Sequence, residues 1–81
     1  MVTMQLIFTN EYGEFIGKKV NMGEEDYKKL VEICKNFYNN NGFELSCEDG
    51  SFVIFPPEIV KKSFLTIKKI ENNIEKVVKN V

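Results

Sequence analysis

The chain has 81 residues, 43% of them hydrophobic and 28% charged, and a formal net charge of −1. That balance excludes a disordered segment, a collagen-like repeat and a cysteine-rich framework, and the length suits a single domain, residues 1–81. Histidine and arginine are both absent, so the commonest general base and the guanidinium fork that clamps phosphate or reads guanine are missing.

Val2 to Thr9 reads as a strand. Val2, Met4, Leu6 and Phe8 alternate with Thr3, Gln5, Ile7 and Thr9, the period of two that sends one set inward. Asn10 to Gly13 is a turn, with Gly13 suited to a positive φ. Glu14 to Met22 follows as a second strand, with Ile16, Lys18, Val20 and Met22 on one face and Phe15 and Gly17 on the other.

Glu24 to Asn41 reads as an amphipathic helix. Tyr27, Leu30, Val31, Cys34, Phe37 and Tyr38 form its apolar stripe. Glu24, Glu25 and Asp26 meet the positive end of the helix dipole. Gly42 is placed for a left-handed cap.

Phe43 to Cys47 is a third strand, with Phe43, Leu45 and Cys47 inward. A hairpin loop, Glu48-Asp49-Gly50, leads to a fourth strand, Ser51 to Phe55. Its apolar residues occur on both faces, which suggests an interior strand or one covered on both sides.

Pro56 and Pro57 then stop the strand and open a helix. Val60, Ile67, Ile74 and Val81 recur every seven residues, so Pro57 to about Lys79 reads as one long helix whose end could project toward a second surface. In the competing reading, Phe64-Leu65-Thr66-Ile67 is a fifth strand followed by a shorter helix.

The expected fold is therefore α+β in the order ββαββα: a mostly antiparallel sheet of about four strands with two helices packed on one face.

Few constellations for chemistry emerge. Cys34 and Cys47 both fall on inward faces and read as small core residues. Their spacing fits neither a Cys-x-x-Cys redox pair nor a zinc site, and further zinc ligands would have to be carboxylates. Glu48-Asp49-Gly50 lacks the alternating acids of a calcium loop. The sequence has no phosphate loop, nucleophile elbow or dinucleotide fingerprint. The expectation is no enzyme, no cofactor and no metal.

Charge is unevenly spread. Acids dominate the first fifty residues and lysines the remainder. Glu24, Glu25, Asp26, Glu44, Glu48 and Asp49 are the candidate partner-binding residues, placed to meet a basic surface on a larger protein or complex. The alternative is a nucleic-acid face built from Lys61, Lys62, Lys68 and Lys69 on the last helix; the slightly acidic net charge makes nucleic acid the weaker candidate.

The favoured reading is a non-enzymatic protein-binding module, with a homodimer through the C-terminal helix as a further option. Its size and the abundance of lysine, asparagine, isoleucine and phenylalanine suit a small regulator or inhibitor from an AT-rich phage or mobile element, of the anti-defence type. No apolar run reaches the ~20 residues of a membrane helix. The start, Met1-Val2-Thr3-Met4-Gln5, lacks the pattern of a secretion signal, so the expected location is cytoplasmic with no membrane association.

Overall fold

A computed structural model describes residues 1–39 and 41–70. The elements in order are β1 (Val2–Asn10), β2 (Gly13–Ile16), β3 (Val20–Met22), α1 (Glu24–Cys34), a 3-10 turn (Phe37–Asn39), β4 (Phe43–Ser46), β5 (Phe52–Phe55), α2 (Pro57–Val60) and β6 (Phe64–Ile70). The α+β class and the antiparallel pairing agree with the sequence reading. The order ββαββα does not: a strand follows α2.

β1 is the axis of the molecule. β6 pairs along one edge, from Thr3↔Ile70 to Thr9↔Phe64. β2 and β3 share the other edge. They act as one interrupted strand, because Ile7 faces Ile16 while Met4 faces Val20. Two residues of β1 thus lie opposite Gly17, Lys18 and Lys19, which is a β-bulge.

The bulge corrects the expected faces of this strand. Residues opposite one another share a side of the sheet, and one extra residue reverses the alternation. Phe15 therefore joins Phe8, its cross-strand partner, and Ile16 points to the other side. Beyond the bulge, Val20 and Met22 return to the side of Met4 and Val2.

Gly17 sits at the crossing point. Its N–H donates to the Leu6 carbonyl at 2.8 Å, and it bridges to Cys47 on the second hairpin. Lys18 N–H donates to the Ser46 carbonyl, and Glu48 N–H to the Ile16 carbonyl. These bonds stitch the β4–β5 hairpin onto the first sheet. A Cβ on Gly17 would stand 2.9 Å from both the Leu6 carbonyl oxygen and Leu45 Cδ1, so only glycine fits.

The core lies on the Phe8 side. Phe8, Phe37, Leu45, Cys47, Phe55 and Val60 form one buried cluster. Phe8 is its centre: the Phe55 ring lies 4.1 Å away, Phe43 stacks at 5.1 Å and Phe37 meets it edge-on at 5.2 Å. Such aromatic pairs add to burial through their offset and edge geometry. Val60, fully buried, brings α2 to this face. α1 is tied to it by Lys69, which stands opposite Met4, contacts Glu24 at 3.8 Å and lies over the Tyr27 ring.

α1 is shorter than its apolar pattern suggests. It ends at Cys34, and the chain then turns so that Phe37 can enter the core. Tyr27, Leu30, Val31 and Cys34 are half-buried, while Tyr38 is exposed. The hairpin end of the first sheet and the Gly50 turn match the expected positions, with Gly13 and Gly50 at positive φ; Gly42 also takes positive φ but does not cap α1, whose C-cap is Lys35.

The long C-terminal helix is corrected. One turn of α2 ends at Val60, and Phe64 to Ile70 is strand β6. Leu65 and Ile67 recur every second residue toward the core side, and pairing to β1 fixes that register. The rest of the expected helix, and with it the proposed helix-mediated dimer, lies outside the described residues. β5 is corrected as well: it pairs with β4 alone among the described residues, and Phe52 and Ile54 are 57% and 66% exposed. No helix among the described residues is long and apolar enough to cross a membrane.

A candidate protein-docking face on the open side of the sheet

β1 is amphipathic in an unusual sense, because its second face is mixed rather than polar. Thr3, Gln5, Ile7 and Thr9 lie there. Cross-strand pairing adds Ile16 and Glu14 from β2, and Phe64, Thr66, Lys68 and Ile70 from β6. These residues share one face because directly opposed residues do.

A shallow groove of 710 Å³ crosses this face. Gln5, Ile7, Ile16 and Ile70 line it together with Glu14, Lys19, Glu48 and Lys68; Lys69 borders it too, although its side chain reaches Glu24 and Tyr27 on the other side of the sheet. All come from β1, β2, β6, the bulge and the Glu48 loop; neither helix contributes. Ile7, Ile16 and Ile70 are half-buried, and Phe64 at the far end of β6 is 71% exposed.

Gln5 organises the groove. It is a buried polar side chain, which costs free energy unless its hydrogen bonds are met. Its amide nitrogen donates to the Gly17 carbonyl at 2.9 Å and to Glu48 Oε2 at 3.1 Å. The bulge creates the free carbonyl, and the glutamine fills it. The same contact pins the Glu48 carboxylate to the groove rim.

The six candidate acids do not form one cluster. Glu24, Glu25 and Asp26 sit exposed at the start of α1, and Glu24 is engaged with Lys69. Glu44 is exposed on the outward face of β4, opposite Ile54. Glu48 lines the groove, and Asp49 closes its own hairpin by accepting from the Ser51 N–H at 2.9 Å and the Ser51 hydroxyl at 2.6 Å. Those bonds, the hydroxyl first, hold the Asp49 carboxyl below the usual carboxylate range. Among the described residues, no three acids or cysteines gather where a metal ion could be held.

The four candidate lysines are not a helix stripe. Lys61 and Lys62 follow α2 in a turn. Lys68 and Lys69 are neighbours on β6 and so project to opposite sides of the sheet. A phosphate backbone tracking one face could meet only part of the set.

Both cysteines are free thiols. Cys47 is buried in the core cluster, and Cys34 is half-buried at the end of α1, where burial pushes its thiol up.

Of the six candidate acids, only Glu48 lines this groove, and Gln5, Ile7, Ile16 and Phe64 are not among the candidates read from the sequence. One signal was present: isoleucine and glutamine on the nominally outward face of the first strand, where threonine alone would suffice. No family model, curated protein or solved structure matches the chain.

Proposed function

We propose that the chain is a non-enzymatic protein-binding module that docks through the open face of the β6–β1–β2 sheet. One observation carries this reading: Ile7, Ile16 and Ile70 line one groove with Gln5 and with charges of both signs, and Phe64 is exposed on the same side of the sheet. An apolar centre with a polar rim is the anatomy of a protein interface. Glu14 and Glu48 against Lys19 and Lys68 favour a partner surface that is apolar in the middle and carries both signs around it. A nucleic-acid site would carry one sign, so the lysine-based alternative is the weaker one.

The partner is a larger protein or complex. A regulator or inhibitor carried by a phage or mobile element, acting on a defence complex, is the role that best suits so small a module without an apparent catalytic set.

The test is affinity capture from a host lysate with the full chain and two variants. Phe64→Glu with Lys68→Glu disrupts the face; Lys29→Glu changes an exposed position on α1. The expected result is one protein retained at stoichiometric yield by the wild type and by Lys29→Glu, and lost with the double variant. Equal retention by all three, or retention of nucleic acid that salt removes, contradicts the proposal.

A further inference from the structure

The strands at the two ends of this β-structure are not protected alike. β6 carries Lys68 and Lys69, the kind of charged side chains that discourage another strand from pairing. β5, Phe52-Val53-Ile54-Phe55, carries no charge at all. Its residues alternate, Val53 and Phe55 toward the core and Phe52 and Ile54 outward into solvent.

Among the described residues, no strand pairs with the far side of β5. Cys47 N–H donates to the Ser51 carbonyl, which makes residues 51, 53 and 55 the ones bonded to β4. Phe52 and Ile54 therefore turn their N–H and C=O groups away from β4, and among the described residues β5 pairs with no other strand. Such an edge admits only an extended strand.

We infer that this edge pairs with the same edge of a second copy, antiparallel about a two-fold axis through Val53. A symmetric interface must be self-complementary, and this strand is. With Val53 opposite Val53 of the partner subunit, Phe52 of each copy stands opposite Ile54 of the other. Inward residues then meet inward residues and outward meet outward, as opposed positions require. Phe52 and Ile54 are also the residues whose backbone groups face away from β4, so the register closes four ladder hydrogen bonds. It brings no two charges together: the row across the junction reads Glu44, Ile54, Phe52, Ser46. The outcome is a continuous β4–β5–β5–β4 sheet with a joined apolar ribbon outside. This surface is separate from the open β6–β1–β2 face, so either reading can fail alone.

Sedimentation equilibrium of the full chain reads the dimer, and cysteine pairing reads the register. The expected result is twice the chain mass for the wild type and for Lys68→Glu, and the chain mass for Ile54→Lys with an unchanged circular dichroism spectrum. In a Cys34→Ser background, Val53→Cys should cross-link to itself on oxidation, because a non-hydrogen-bonded pair places its Cα atoms about 4.5 Å apart, within disulfide reach. Ile54→Cys alone should not, while a mixture of Ile54→Cys and Phe52→Cys should. A wild type that stays monomeric at millimolar concentration overturns the inference. So does a dimer that survives Ile54→Lys, or cross-linking by Ile54→Cys with itself.

Discussion

Gln5 donates from its side-chain nitrogen to the Gly17 carbonyl across the bulge at 2.9 Å, from a position only 5% exposed. The bulge frees that carbonyl from the ladder, and the glutamine restores its partner while holding Glu48 at the groove rim. Gln5→Met keeps the volume and removes the donor. Leaving a buried carbonyl unpaired costs about 1–3 kcal/mol. Urea unfolding should show that loss; a midpoint equal to wild type would mean water replaces the amide.

Gly17→Ala attacks the same crossing from the backbone. Its Cβ would meet a carbonyl oxygen and a leucine methyl at 2.9 Å, and the carbonyl cannot move without disturbing β1. Overpacking of this kind costs about 1–3 kcal/mol. Glycine at Gly23, where a Cβ meets nothing within 4 Å, is the internal control, and Gly23→Ala should leave stability nearly unchanged in the same assay.

Phe8→Ala should be the most damaging single truncation, at about 3–5 kcal/mol. The ring is fully buried and contacts three other rings. Leu30→Ala should cost less, because no residue of α1 is fully buried. Thermal or urea midpoints that reverse this ranking would place the core under α1 and not around Phe8.

The first strand was legible because its information is local. Val2, Met4 and Phe8 alternate inward, and all three are buried. The turn at Gly13, the start of α1 and the Gly50 hairpin were legible for the same reason. The bulge was not, since it shows only once β1 is paired on both sides of it, Ile7 with Ile16 and Met4 with Val20. Nor was the end of α1: Phe37 continues a helical pattern, yet its ring is needed beside Phe8. Phe64 to Ile70 carries both periods, seven with Val60 and two with Leu65 and Ile67. Pairing with β1 decided between them. The open face was the least legible part, because Ile7, Ile16 and Ile70 come together only through that pairing.

Asp49 makes stability depend on acid pH. Its carboxyl is held below the usual range by the Ser51 hydroxyl and N–H. A depressed folded value means the contribution is present above the unfolded value of about 3.9 and is lost as pH falls through the folded one. The difference in urea midpoint between wild type and Asp49→Ala should therefore be largest near neutral pH and shrink as pH falls below about 3.9. A difference that grows on acidification would contradict this sign.

Cys34 should be a slow nucleophile. Burial raises its thiol and lowers the thiolate fraction, while Cys47 is shielded in the core. Alkylation by iodoacetamide at about pH 8, followed by mass spectrometry, should be slower for both cysteines in the folded chain than in urea. Equal rates for Cys34 in the two states would show its thiol to be fully accessible.

The docking face itself is tested most directly by hydrogen exchange on the full chain, with and without the protein that it captures. Slowed exchange on partner binding should be confined to peptides covering Gly13–Ile16 and Phe64–Ile70, with Glu24–Cys34 unaffected. Protection centred on α1, with the two strands unchanged, would contradict the account.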